Sequence, residues 1–199
     1  MRSAKAKVAG VSARWKCARL LIGAAVSLNF VQAVPSAAQA SAVEFSVSGT
    51  STIRGWTCTV QGAAEVTPGA ATPAPGFDAG VQAATLTVPV NGFDCPEEEM
   101  REHLLEALRV DEFANITFRL EGYEMSGRQA QATGSLTILD ATEPVTFPVS
   151  LSPSGGSVTM AGELRLDMTT YGVEPPVVML GLLRVRPQIT IQFEGLVSP

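Results

Sequence analysis

The feature that most constrains the fold of this chain is the alternation of apolar and polar residues in about eight short segments. Successive side chains of a β-strand point to opposite faces, so such alternation predicts strands with one apolar face and one wet face. This number of one-sided strands favours an antiparallel sheet, which buries its apolar face by closing into a barrel or by folding into a sandwich. The segments are 43–47, 56–60, 82–90, 116–121, 130–139, 145–151, 158–168 and 188–195.

One segment, residues 97–109, has the pattern of a helix instead. It contains no glycine, proline or β-branched residue, and such a composition favours a helix. Met100, Leu104 and Leu108 recur every four residues and form one apolar stripe. We therefore expect one short helix that lies on the rest of the molecule with this stripe facing inward.

Two segments follow neither pattern. Residues 66–80 are rich in proline, glycine and small residues, and we expect a surface connection that buries nothing. Residues 171–187 contain a dense apolar run after Pro175-Pro176. A loop this apolar should be covered, either because it caps one end of the core or because it lines or gates a cavity.

The first forty residues have the layout of an export signal. Six basic residues precede an apolar run at 20–34, and the small-residue site Ala38-Gln39-Ala40 follows it. An uncleaved membrane anchor is the competing interpretation, but the run is short for a span and contains polar residues. We predict a signal peptide over residues 1–40, cleavage after Ala40, one mature domain over 41–199, and a periplasmic or secreted protein.

Cleavage at this site would leave eight arginines against 19 acidic residues, a net charge of −11. A domain this acidic repels nucleic acid and anionic membrane surfaces, so we expect no nucleic-acid partner. Two cysteines, Cys58 and Cys95, would remain. An even number of cysteines in an exported domain predicts one disulfide, and the alternative is a pair of buried free thiols.

The sequence gives little support for catalysis or for metal binding. His103 is the single histidine, and no nucleophile-elbow motif accompanies it. We interpret its imidazole as half-buried and hydrogen-bonded to a backbone carbonyl. Glu97, Glu98 and Glu99 spread around a helix rather than converge on one point, so we predict no metal site.

Several motifs occur in the order and spacing of a known family. They are VEFSV at the start, His103-Leu104, Asp111-x-Phe113-x-x-Ile116-x-Phe118, Gly134-x-Leu136-x-Ile138, Pro144-Val145 and the final ITIQFEG. Over residues 43–195 the chain resembles the YceI family of exported barrels. The resemblance implies an all-β fold, an antiparallel closed lipocalin-like β-barrel of about eight strands with one short α-helix.

The same resemblance implies a function. Family members hold a long isoprenoid chain, such as an isoprenoid quinone, in the apolar interior, and homodimers are common among them. Cys58, Cys95 and the PPVVMLG loop resemble a subgroup, and Gly49 stands where many members carry a histidine.

We therefore predict an exported, non-enzymatic protein that holds an apolar chain-like lipid and needs no cofactor. Two alternatives are an envelope structural or interaction module with a packed barrel and no ligand, and an enzyme that uses His103. The candidate lining residues come from the inward faces of the strands and from the loop at 171–187: Phe45, Val47, Leu86, Val88, Phe118, Leu136, Ile138, Phe147, Leu164, Leu166, Met179, Leu180, Ile189 and Ile191.

Overall fold

The computed structural model describes residues 40–69 and 72–198, and these form one antiparallel barrel with a helix at one end. Helix α1 (Glu98–Ala107) is inserted between the third and fourth strands. The strands are β1 (Ala40–Ser51), β2 (Gly55–Pro68), β3 (Val81–Pro89), β4 (Asn115–Ser126), β5 (Gln129–Ile138), β6 (Ala141–Ser154), β7 (Ser157–Asp167), β8 (Val177–Val178) and β9 (Leu183–Val197).

Eight of these strands form a closed ring. Each of β1 to β6 pairs with the next strand, β7 pairs with β9, and β9 returns to pair with β1. In that closing pair Val47 lies opposite Ile191 and Phe45 opposite Phe193. Closure gives each of the eight strands a partner strand on both sides. The predicted barrel is confirmed and the sandwich is not formed, while β8 lies outside the ring and pairs only with β9.

The barrel end away from α1 is closed by residues 72–80. Phe77 is 3 % exposed and belongs to the hydrophobic core. Tyr123 Oη donates to the carbonyl oxygen of Thr72 and accepts from the Val81 N–H at 3.0 Å, which fixes both ends of the segment. The expectation of a connection that buries nothing is wrong. The Phe77 side chain of this segment packs into the core at the barrel end, although most of its neighbours in sequence are small.

At the opposite end, α1 is attached mainly through the residues that precede it. Cys95 forms a disulfide with Cys58 of β2, as the cysteine count predicts. Asp94 exchanges two backbone hydrogen bonds of 2.8 Å with Thr59. The helix is shorter than the predicted span 97–109, because Arg109 has a left-handed φ of 49° that ends it. Within the described residues, no helix combines the length and apolarity needed to cross a membrane.

Candidate ligand-binding site

A partly enclosed cavity of about 290 Å³ lies between α1 and the barrel strands. This volume is at the lower end of the range of about 300–1,000 Å³ that is usual for small-ligand sites. Strands, helix and the loop before β9 all contribute to it, and most lining side chains are apolar: Val47, Ser51, Arg54, Trp56, Phe93, Glu97, Glu99, Met100, His103, Leu104, Ala107, Leu108, Ile116, Ile138, Met168, Val173, Pro176, Val178, Leu183, Val185, Ile189 and Ile191.

Helix α1 covers this cavity as a lid. None of its residues is fully buried, although Met100, Leu104 and Ala107 are partly buried against the core. These three side chains also line the cavity. The apolar stripe that the sequence shows therefore packs against the core and also borders the cavity.

A layer of phenylalanine side chains lies below the cavity. Val47 and Ile191 line the cavity, and two residues further along the same strands, on the same face, are Phe45 and Phe193. Phe118 stands in the same relation to the lining residue Ile116. Ring centroids are 6.0 Å apart for Phe45–Phe193, 5.8 Å for Phe147–Phe193 and 5.1 Å for Phe118–Phe147.

Glycines on neighbouring strands make room for this phenylalanine layer. A Cβ added at Gly134 would lie 2.6 Å from the Phe118 ring, and one at Gly162 would lie 2.4 Å from the Phe193 ring. Each ring thus occupies the space of a side chain that the next strand lacks. Side chains of the buried core occupy the interior from this layer to the Phe77 end, and the cavity lies beneath α1.

Two buried polar atoms of the lining have no hydrogen-bond partner among the described residues. They are Trp56 Nε1 and His103 Nε2. The Trp56 indole lies over its cross-strand partner Gly49, where a Cβ would be 2.6 Å from Trp56 Cζ2. His103 Nε2 is 3.7 Å from Glu99 Oε1, beyond hydrogen-bonding distance. The predicted bond from His103 to a backbone carbonyl is therefore not made by this atom.

The rim of the cavity is mainly acidic. Glu97 and Glu99 line it from the start of α1, and Arg54 lines it from the turn between β1 and β2. Arg54 Nη2 is 2.5 Å from Glu97 Oε1, so the positive charge of this arginine is already paired. Among the described residues, no three His, Cys, Asp or Glu side chains converge as a metal site requires.

A short 3₁₀ helix, Met168–Tyr171, supplies one side of the wall through Met168. Asp167 caps it and accepts hydrogen bonds from Thr169 Oγ1 at 2.5 Å and from the Thr169 N–H at 2.9 Å. The hydroxyl bond and then the backbone bond lower the pKa of Asp167. Burial and, to a smaller extent, the charge of Glu143 raise the pKa of Tyr171.

The structure brings four of the fourteen candidate lining residues to the cavity: Val47, Ile138, Ile189 and Ile191. Leu164 and Leu166 pack partly buried against the core. Six others are buried in the packed core: Phe45, Leu86, Val88, Phe118, Leu136 and Phe147. Leu180 is fully exposed, and the side chain of Met179 lies outside the described part of the chain.

In the loop before β9, some side chains line the cavity and others are exposed to solvent. Val178 and Pro176 line the cavity, whereas Val177, Leu180 and Leu182 are exposed. The expectation that the whole apolar run is covered is wrong, because the left-handed turn at Leu180 directs part of it outward. The lining residues predicted from the sequence do not include those of α1. Their spacing in the sequence nevertheless indicates an inward-facing apolar stripe.

Fold and site together define a closed antiparallel β-barrel with a mainly apolar cavity at one end, under a disulfide-anchored helix. The model of the YceI-like domain matches residues 32–196, and the chain belongs to this family. No curated protein sequence matches the chain significantly.

Solved structures show the same fold. BcnA of Burkholderia cenocepacia has 20 % identity and a TM-score of 0.61 over 79 % of this chain and 96 % of its own. A polyisoprenoid-binding domain of Saccharophagus degradans, implicated in plant cell wall breakdown, has 10 % identity and a TM-score of 0.60, with 80 % and 94 % covered. The Campylobacter jejuni YceI protein has 11 % identity and a TM-score of 0.57, with 69 % and 81 % covered.

Proposed function

We propose that this protein binds an apolar, chain-like lipid of the isoprenoid class in the cavity beneath α1 and does not transform it. The observation that carries the proposal is the space itself, which is lined on the strands, the helix and the loop by apolar side chains. Protein interiors are normally close-packed, and a mainly apolar cavity at one end of a barrel is a favoured place for a small apolar ligand.

The isoprenoid class is supported by the family and by a neighbour. The chain belongs to the YceI-like family, and one solved structure of the same fold is described as a polyisoprenoid-binding domain. The Cys58–Cys95 disulfide is compatible with an oxidising compartment, and we propose that the protein is exported and acts in the periplasm or outside the cell. The predicted signal peptide over residues 1–40 lies outside the described residues apart from Ala40.

The alternative hypothesis, a packed barrel without a ligand, fits only the half of the molecule away from α1. From the phenylalanine layer to Phe77 the interior is filled by side chains. The half beneath α1 is different, since Met100 and Leu104 border a cavity there in addition to their contacts with the core. The binding function is therefore assigned to the helix end alone.

Mass spectrometry of lipids extracted from the protein tests the proposal. Protein purified from its native envelope should release an isoprenoid lipid in organic solvent, and its amino terminus should be Ser41. Ala107→Phe places a ring from the lid into the cavity and should abolish the co-purified lipid while the fold is retained.

A matched control separates loss of the cavity from a general effect of an added ring. Ala83 is exposed on β3 and does not line the cavity, so Ala83→Phe should leave the bound lipid unchanged. Repeated extraction of the native protein without any lipid would contradict the proposed function. Equal loss of lipid in both variants would show that the cavity beneath α1 is not the site.

A further inference from the structure

We propose that Trp56 Nε1 and His103 Nε2 form a polar subsite that binds the neutral oxygen of a ligand head group, such as the hydroxyl of a prenyl alcohol. This inference rests on the proposed function, because the apolar chain of the same ligand would fill the rest of the cavity. It adds the chemical nature of the head group and the two atoms that recognise it.

The indole of Trp56 provides the first half of the subsite. Its Nε1–H can only donate a hydrogen bond, and this atom is fully buried without an acceptor among the described residues. Leaving a buried donor unpaired costs free energy, and such groups in folded proteins usually have a partner. The ring is positioned by its packing on Gly49, where any Cβ would collide with it. A ligand oxygen in the cavity would supply the acceptor that the protein does not.

The imidazole of His103 provides the second half. Its Nε2 is likewise buried and without a partner in the described ranges, and the residue lines the same cavity from the lid. In a neutral imidazole this nitrogen is either a donor or an acceptor. A hydroxyl group suits either form of the imidazole. Its oxygen can accept a hydrogen bond from the Trp56 Nε1–H, and the hydroxyl can either accept a hydrogen bond from His103 Nε2–H or donate one to an unprotonated Nε2.

The charges around the rim favour a neutral head group over a carboxylate. Glu97 and Glu99 line the cavity, and the pairing of Arg54 with Glu97 uses the one guanidinium among the described lining residues. A ligand carboxylate would therefore lie near the Glu99 carboxylate and find no free guanidinium, which is unfavourable. A fatty acid of similar length should bind more weakly than the alcohol.

Calorimetric titration of the delipidated protein with three matched probes tests this inference. Geraniol, geranic acid and myrcene share a similar branched skeleton and carry a hydroxyl, a carboxylate and no oxygen. Wild-type protein should bind geraniol about fivefold to tenfold more tightly than myrcene, the gain expected from net hydrogen bonding. Geranic acid should bind more weakly than geraniol.

Trp56→Phe removes the indole Nε1 and His103→Leu removes the imidazole nitrogens, and each should reduce the preference for geraniol over myrcene while myrcene affinity changes little. Met100→Leu alters the apolar lining without touching a polar atom and should keep the preference. A readout based on preference is insensitive to a uniform loss of packing, which would lower the affinity for both probes together.

Equal binding of geraniol and myrcene by the wild type would overturn the polar subsite and leave the proposed lipid-binding function intact. The polar subsite would also be overturned if geranic acid bound most tightly of the three probes. It would be overturned as well if Trp56→Phe kept the wild-type preference for geraniol over myrcene. Absence of binding for all three probes, together with no co-purified lipid, would overturn the proposed function and this inference with it.

Discussion

Asp167 shows how a single side chain shapes the wall of the cavity. Its carboxylate caps the 3₁₀ helix Met168–Tyr171 through Thr169 and also accepts from Gln188 Nε2 at 3.0 Å on β9. These contacts orient Met168, which lines the cavity, and the buried Tyr171. One capping residue therefore joins β7, the short helix and β9 at the point where the barrel meets the site.

Replacing Asp167 by alanine should lower the melting temperature at neutral pH, because the cap is lost. The pKa of this carboxyl is lowered in the folded protein, so its contribution to stability is present above the ordinary carboxyl pKa. That contribution is lost as the pH falls through the lowered pKa. Thermal unfolding of both proteins from neutral to strongly acidic pH should show the difference between them closing in acid.

Asp111 is exposed, and Asp111→Ala provides the matched control for this titration. It should leave the melting temperature nearly unchanged across the same pH range. A difference between Asp167→Ala and the wild type that stays constant down to strongly acidic pH would contradict the assigned cap.

At the scale of elements, α1 is a lid with an unequal attachment. Its start is held by the Cys58–Cys95 disulfide, the Asp94–Thr59 backbone pair and the Arg54–Glu97 ion pair. Its body contributes partly buried side chains that line the cavity. The disulfide is therefore the strongest connection between the lid and the wall that it covers.

The double change Cys58→Ala with Cys95→Ala should destabilise the protein and loosen the lid. The cysteines are 37 residues apart, and a loop of this length corresponds to about 4 kcal/mol in the chain-entropy account. Denaturant unfolding measures this loss, and stopped-flow release of geraniol should become faster. Reduced wild-type protein should behave like the variant, and an unchanged release rate in both would show that the disulfide does not hold the lid closed.

At the scale of the whole molecule, alternation in the sequence predicted an antiparallel sheet with one apolar face, the family resemblance selected the barrel over the sandwich, and neither located the cavity. Phe45 and Val47 share one inward face and one pattern, yet the first fills the interior and the second borders open space. Periodicity reports which face a residue occupies, not the volume left between facing side chains. The same limit applies to Phe77 and Leu180, which lie in aperiodic segments whose burial depends on distant contacts.

The phenylalanine layer should set the length of chain that the cavity accepts. Phe118→Ala removes a ring directly below the lining residue Ile116 and should shift the preference from geraniol toward longer prenyl alcohols. The cost in stability should be about 3–5 kcal/mol. Titration with prenyl alcohols of increasing length measures the preference, and Phe118→Leu should shift it in the same direction at a smaller cost.

Phe77→Ala is the matched control, since it removes a buried ring at the opposite end of the barrel. It should lower stability without changing the preferred chain length. An unchanged preference in Phe118→Ala would mean that the layer does not limit the ligand.

The division of the interior by the phenylalanine rings also has an evolutionary consequence. Phe77 and the phenylalanine layer are fully buried in the core, whereas no residue of α1 is. Substitutions on the lid side can therefore accumulate with little penalty in folding. Under the proposed binding function, a lineage of such barrels can change its ligand by altering α1 and the loop before β9, while the other half of the same molecule stays as it is.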